Sequence, residues 1–162
     1  MRKIKYIVIH CTSGPALQTT KAIKDYWRNS LGWKQVGYHF IVNADGTVEN
    51  LAPIEAVTNG VKNFNSVSVH ICYKGGVGSK DTRTPEQKSA IEKTIKEVLE
   101  KLKNFQPIDG IKIRGHRDFS PDQNGNGKVD FFEWIKDCPC FDAKGEYQYL
   151  QGAKATNDKS LP

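Results

Sequence analysis

The sequence predicts an α/β fold: a central mixed β-sheet flanked by helices, in a single domain. Three observations lead there. Apolar strand-like runs alternate with helical stretches along the chain, the pattern of a sheet with helices packed on it. The tight turn Ala44-Asp45-Gly46-Thr47 joins two of those runs directly, so one pair is antiparallel and the sheet is mixed. The length, 162 residues, suits one core, since a chain of this size buries roughly 70% of its unfolded surface.

The elements follow in order. Lys3 to Cys11 reads as a strand, with Ile4, Tyr6, Val8 and His10 on one face and Ile7 and Ile9 on the other. Both faces look buried, which places this strand centrally. Ser13-Gly14-Pro15 is a loop. Thr20 to Ser30 reads as a helix with Ile23, Tyr26 and Trp27 on one side. Val36 to Val42 and Thr47 to Leu51 form a hairpin around the turn, and Ala56 to Ser66 is a polar loop. Val67 to Tyr73 is a third long strand, with Val67, Val69, Ile71 and Tyr73 on one face and Ser68, His70 and Cys72 on the other. After the glycine-rich loop Lys74 to Arg83, Thr84-Pro85-Glu86-Gln87 is a strong helix start: a cap, a proline at the first helical position, and a glutamine that completes a capping box. Ile91, Ile95, Val98, Leu99 and Leu102 give that helix its apolar stripe. Ile111 to Arg114 is a short strand that delivers His116. The domain is expected to span residues 1–148, with 149–162 as a polar tail.

Composition narrows the partners. The formal charge of +6 favours an anionic partner by long-range attraction. The lysines are scattered rather than clustered, which argues against nucleic acid. No apolar run approaches the length of a membrane span. The N-terminal segment has too short an apolar stretch for a signal sequence, so synthesis in the cytoplasm is expected. In that setting Cys11, Cys72, Cys138 and Cys140 read as thiols or metal ligands rather than disulfides.

Two histidines and a cysteine are the residues with chemistry to offer. His10 closes the first strand, His116 follows the last, and Cys138 opens Cys138-Pro139-Cys140. The end of a strand is where an α/β sheet tends to hold its ligand. Three such ligands around zinc leave a fourth tetrahedral position open to water, as a hydrolytic site needs. Each has a plainer reading: a histidine ending a buried strand is commonly a satisfied core group, and cysteine is commonly a buried thiol.

The segments around these residues carry a resemblance. Ile7-Val8-Ile9-His10-Cys11-Thr12, Val36-Gly37-Tyr38-His39-Phe40, Asp45-Gly46-Thr47-Val48-Glu49, Gly115-His116-Arg117-Asp118 and Lys136-Asp137-Cys138-Pro139-Cys140-Phe141-Asp142 occur in that order. Together they resemble the zinc-dependent N-acetylmuramoyl-L-alanine amidases, a family that includes amidase-type phage lysozymes and shares its fold with peptidoglycan recognition proteins. The resemblance implies zinc held at the positions of His10, His116 and Cys138, a catalytic tyrosine at Tyr38 and, in the phage branch, a catalytic lysine at Lys136. It assigns the metal to Cys138 rather than Cys140. It implies hydrolysis of the amide between the lactyl group of N-acetylmuramic acid and the first L-alanine of the stem peptide. The expected partner is peptidoglycan or a muropeptide, met at the wall after release or as cytosolic wall fragments, and a monomer is expected. The alternatives are a recognition module that holds muramyl peptide without cutting it, against which the three retained ligands argue, and a calcium-controlled interaction protein. His39, beside Tyr38 but on the opposite side of its strand, reads as structural.

Two positions depart from that family's pattern. Many relatives carry a groove-lining histidine at the position of Gly60, and usually glycine at the position of His70. His70 is therefore a candidate substrate-binding residue, supplying from a neighbouring strand what Gly60 lacks; a buried histidine bonded to backbone is the alternative.

A second metal loop lies between His116 and Cys138. Residues 122–133 match the twelve-residue EF-hand pattern, with Asp122, Asn124, Asn126, Lys128 (through its carbonyl), Asp130 and Glu133 at the ligand positions and Gly127 at the sharp turn. Structural calcium is expected, fixing the separation of two zinc ligands; an ion-free Asn/Gly-rich turn is the alternative.

Overall fold

The structure of the chain, a computed structural model, describes residues 1–151; most of the expected polar tail, residues 152–162, lies outside the described residues. The two runs with apolar faces on both sides became the centre of the sheet. Strand β1 (Tyr6–Cys11) and β4 (Ser68–Tyr73) pair in parallel; β5 (Lys112–Gly115) joins the free side of β1, and β2 (Phe40–Val42) that of β4. β3 (Val48–Asn50) pairs antiparallel with β2, giving a five-stranded mixed sheet in the order β3-β2-β4-β1-β5. The register sets Val8 opposite His70 and His10 opposite Cys72.

Two strands are shorter than the apolar pattern predicts, for identifiable reasons. Ile4 lies outside β1 because the side-chain amide of Gln106 takes its place in the ladder: Ile4 N–H donates to Gln106 Oε1 and Gln106 Nε2 donates to Ile4 O, both at 2.8 Å. Val36 to His39 stay irregular before β2. There Gly37 is packed under the Trp27 indole so tightly that a Cβ would lie 2.8 Å from the ring.

The two faces of the sheet are covered unequally. Helix α2 (Pro85–Lys103) starts at the expected capping box and lays Ile91, Ile95, Val98, Leu99 and Leu102 on Ile7, Ile9, Val69, Ile71 and Ile113. Each such side chain contributes about 1.5–3 kcal/mol on burial, so this face anchors the fold. On the other face a smaller cluster packs Ile23 of helix α1 (Thr20–Asp25) and Trp27 of the π-helical turn Tyr26–Ser30 that continues it against Ile41 and Cys72 of the sheet. This cover is incomplete, and the C-terminal ends of β1 and β5 remain open beneath it.

Buried arginine contacts hold the surrounding loops. Arg2 donates to the carbonyls of Ile54 (3.0 Å), Asn65 (3.0 Å) and Ser68 (2.8 Å), pinning the loop that contains Asn59 and Gly60. Arg83 is ion-paired to Asp81 at 2.8 Å and Glu146 at 2.9 Å and lies 3.2 Å over the Phe141 ring. It thereby ties helix α3 (Ala143–Glu146), just past the Cys138 segment, to the loop before α2. The chain stays packed slightly beyond residue 148: Leu150 rests on the main core, and Arg114 donates to Gln151 Oε1 at 2.9 Å.

Candidate active site

His10 is the last residue but one of β1, and its side chain falls on the sparsely covered face. Gly115 ends β5, and His116 opens the single helical turn that follows. The Cys138 segment is fastened across both strand ends. Cys11 N–H donates to Cys138 Sγ at 3.2 Å, Arg117 N–H donates to Cys138 O at 2.8 Å, and the Tyr73 hydroxyl donates to Pro139 O at 2.8 Å. The Cys138-Pro139 peptide is cis, and its ring sits so close to β5 that a Cβ on Gly115 would lie 2.6 Å from Pro139 Cδ.

These anchors bring three distant residues together. Ligand atoms of His10, His116 and Cys138 all lie within 4.8 Å of one another, and His10 Nδ1 is 3.9 Å from Cys138 Sγ. Tetrahedral zinc, with bonds of about 2.0 Å to nitrogen and 2.3 Å to sulfur, needs neighbouring donors roughly 3.5 Å apart, so the set fits such an ion with a slight contraction. Cys140 points elsewhere: its Sγ is 3.6 Å from Cys11 Sγ. Among the described residues no other group of histidine, cysteine and carboxylate side chains converges in this way.

The electrostatics leave both imidazoles unprotonated and able to act as ligands. Burial holds the His10 imidazole well below its ordinary pKa, reinforced by His116, His70 and Lys136. Burial, then the Lys136 charge, lowers His116 to about 4. Both rings are thus neutral with a lone pair free at pH 7. Burial pushes the Cys138 thiol up, so in the absence of a cation it keeps its proton.

A cleft of about 480 Å³ opens over His116 and Cys138, walled by Trp27, Trp33 and Tyr38 on one side and Lys136 on the other. It continues past Gly60 and Lys136 into a second hollow of about 540 Å³ that reaches Phe64 and Phe119. The Tyr38 ring is 4.9 Å from that of His10 and 5.3 Å from that of Trp27, centre to centre. Burial raises the Tyr38 pKa well above its usual value, so its hydroxyl remains a proton donor. Lys136 is exposed at the rim, its segment held by Arg117 lying 3.9 Å over the Trp134 ring and by Ile135 N–H donating to Ser120 Oγ at 3.0 Å. Trp27, Trp33 and Asn59 also line the cleft, with no catalytic motif to mark them in the sequence. Tryptophans at 27 and 33, six residues apart on a short helix and its exit, were the available signal.

The other expected residues fall as follows. His39 is buried and structural: its Nε2–H donates to Ala56 O at 3.1 Å, and its Nδ1 accepts from the main-chain N–H of His70 at 3.0 Å. The expectation that His70 contacts substrate is corrected by its position. It is fully buried behind His10, and Gly60 lies between it and the cleft, so closely that a Cβ there would fall 2.3 Å from His70 Nδ1. In the 122–133 loop the side chains turn inward as in a cation loop. Asp122 accepts from Gly125 and Gly127 N–H (2.7 and 2.8 Å), Asn124 from Asn126, Asn126 from Lys128, and the buried Glu133 from Gln123, Asn124 and Asp130. Asp122, Asp130 and Glu133 do not converge as the His10 triad does.

Residues 1–130 match the family described as N-acetylmuramoyl-L-alanine amidase. This chain belongs to the N-acetylmuramoyl-L-alanine amidase family. It is 32% identical over 145 residues to an endolysin of Klebsiella phage KP32, covering 85% of this chain and 82% of that protein. Among solved structures it superposes on the Ph2119 endolysin from a Thermus scotoductus bacteriophage with a TM-score of 0.71 at 22% identity, over 94% of this chain and 87% of that one. A bumblebee peptidoglycan recognition protein, PGRP-SA, gives a TM-score of 0.71 at 19% identity, over 94% and 84% of the two chains. The mixed sheet and its helices are therefore the fold of this amidase family and of the recognition proteins alike.

One consequence concerns acid. His10, His39, His70 and His116 all have lowered pKa values, two of them to about 4, with burial as the first cause. As pH falls through the unfolded value of about 6.5, the unfolded chain takes up protons that the folded chain refuses, so stability falls by up to roughly 1.4 kcal/mol per pH unit for each such group. Urea denaturation in the presence of a chelator should show a midpoint that drops steadily from pH 6.5 to 5, before carboxylates titrate. A flat profile over that interval would contradict the burial of these rings.

Proposed function

We propose that this amidase-family chain is a zinc-dependent peptidoglycan hydrolase. It cleaves the amide between the lactyl group of N-acetylmuramic acid and the L-alanine of the stem peptide, as a phage or prophage endolysin acting on the wall after release. The observation that carries this reading is the convergence of His10, His116 and Cys138, with His116 and Cys138 lining a cleft that also presents Tyr38 and Lys136 and His10 buried just beneath them. Catalysis is assigned to residues 1–148. The net charge of +6 suits an anionic wall.

Zinc held by the triad would lower the pKa of a water to about 7 and polarise the scissile carbonyl. Hydrolysis adds water across the amide: the carbonyl carbon gains an oxygen, the carbon–nitrogen bond breaks, and the alanine nitrogen leaves as an amine after taking a proton. Tyr38, kept protonated by its surroundings, can donate a hydrogen bond to the oxygen that gathers negative charge. Lys136 places a positive charge on the facing wall of the cleft, near enough to help lower the His116 pKa. Trp27 and Trp33, stacked with ring centres 6.3 Å apart, form an apolar wall suited to the flat faces of sugar or peptide groups.

Digestion of purified peptidoglycan tests the reading. New N-terminal L-alanine without new reducing sugar ends is expected. Binding to the wall polymer with zinc present and no cleavage would instead favour a recognition module, the role named for the PGRP-SA neighbour.

The EF-hand pattern of residues 122–133 is the ground for a second reading, structural calcium clasping the segment between His116 and Cys138, which would have to draw together carboxylates that do not converge on their own. Lone extracellular-type loops bind at about 10⁻⁴–10⁻³ M, so about 10 mM calcium is expected to stabilise the fold by roughly 1.4–2.7 kcal/mol and raise Tm by several degrees. Thermal melts with calcium, and with magnesium as control, read this directly. No calcium-specific shift would leave the loop as a turn only.

A further inference from the structure

His70 sits in the middle of β4, and its ring lies against the metal triad from behind. His70 Nδ1 is 3.0 Å from His10 Nε2, while His10's other nitrogen, Nδ1, faces Cys138 Sγ. The two nitrogens of His10 therefore have separate destinations. A neutral imidazole that offers Nδ1 to a cation must carry its proton on Nε2, and that proton needs an acceptor. Among the described residues, His70 Nδ1 is the atom in hydrogen-bond reach of it.

We propose that His70 is a positioning residue for His10: it accepts the Nε2–H bond that fixes the tautomer and ring orientation in which His10 can ligate metal. The proposal rests on the zinc reading above and adds to it a partner that ligand spacing alone does not reveal. A metal-bound histidine is ordinarily held by a carboxylate, a carbonyl or water on its far nitrogen. Here an uncharged imidazole does that work.

The surroundings of His70 argue that the ring is placed for this contact rather than as filling. It is fully buried, and its Nε2 has no hydrogen-bond partner, a position that an apolar side chain would fill without cost. When His70 Nδ1 accepts from His10, the remaining His70 proton must sit on that unpartnered nitrogen, so the arrangement is kept despite leaving a donor unsatisfied. The main-chain N–H of His70 donates to His39 Nδ1 at 3.0 Å, and the two rings stack with centres 5.8 Å apart, which fixes the ring from below. Above it, Gly60 leaves the space the imidazole occupies, since any Cβ at 60 would overlap the ring. Glycine at 60 is thus what admits histidine at 70.

The test compares variants of the whole chain that keep or remove the acceptor. Asparagine carries its side-chain oxygen where histidine carries Nδ1. Leucine has no acceptor, and glutamine carries its oxygen one bond too far. Zinc affinity is measured by competition with a chromophoric chelator, and Tm is measured in the metal-free state. His70→Leu is expected to weaken zinc binding about 10- to 100-fold, the usual effect of removing such a partner. His70→Asn is expected to recover most of that loss, even where its metal-free Tm is no higher than that of the leucine variant. A purely structural histidine would show zinc affinity following Tm instead. If His70→Leu does not fold, the His70→Asn and His70→Gln pair makes the same comparison. Folded His70→Leu binding zinc as tightly as wild type, or asparagine and glutamine variants equally weak, overturns the proposal while leaving the triad intact. Wild-type protein that takes up no zinc overturns the metal reading itself, and His70's role with it.

Discussion

Replacing His116 by alanine is expected to remove bound zinc and peptidoglycan cleavage together. The imidazole is one of three donors held within 4.8 Å of one another, and no fourth histidine, cysteine or carboxylate stands ready among the described residues to replace it. A bound metal supplies several kcal/mol of transition-state stabilisation, and each 1.4 kcal/mol is tenfold in rate, so activity should fall by on the order of 10³ or more. Cys138→Ala should do the same. Cys140→Ser is the informative control: its sulfur faces Cys11 rather than the triad, so zinc content should stay near one per chain with activity retained. The fold should survive the His116 change, because the ring is only partly buried and hangs from a helical turn past the end of β5. Metal analysis, chelator-state melting and release of L-alanine N-termini measured on the same preparations separate these effects. Full activity in His116→Ala would falsify the proposed site.

Much of this arrangement is legible in the sequence, and the illegible part has a physical reason. The alternation of Ile7 and Ile9 with Val8 and His10 identifies a two-faced central strand, and the Thr84–Gln87 signature locates the start of α2 to the residue. Both are local, set by side-chain period and by capping chemistry. Strand ends are less so. Ile4 has the pattern of a strand residue, yet its hydrogen bonds go to Gln106, more than a hundred residues away. The same limit applies to the site. Each candidate metal donor can be named from its flanking segment. The contact between His10 and His70 depends on the parallel register of β1 and β4, and that of Arg117 with Trp134 on how the 120–135 segment folds back. His70 illustrates the difference: a histidine set among apolar strand residues is visible in the chain, whereas the contact it makes is a property of the sheet.

Tyr38→Phe carries the second large expectation, a fall in kcat of about 10² to 10³ with zinc content unchanged, as for loss of one donor to a developing oxyanion. The substitution removes a single oxygen. The ring, packed between His10 and Trp27, should keep its place, and substrate binding along the Trp27–Trp33 wall should persist, so KM should move little. Lys136→Ala should act differently. Its ammonium is at the exposed rim, where salt screens it, so its effect on rate should be smaller and should shrink as ionic strength rises. It should also leave a trace in the metal-free protein. Lys136 helps hold the His116 pKa down, so its removal lets His116 protonate at higher pH in the folded chain. Folded and unfolded proton uptake then differ less, and the acid loss of stability below pH 6.5 should become shallower. Equal losses of kcat in both variants with identical salt dependence would mean that Tyr38 acts through the cleft's shape or field rather than as a donor. A tyrosine-specific, salt-insensitive loss identifies the phenolic hydrogen bond as the contribution that burial of Tyr38 preserves.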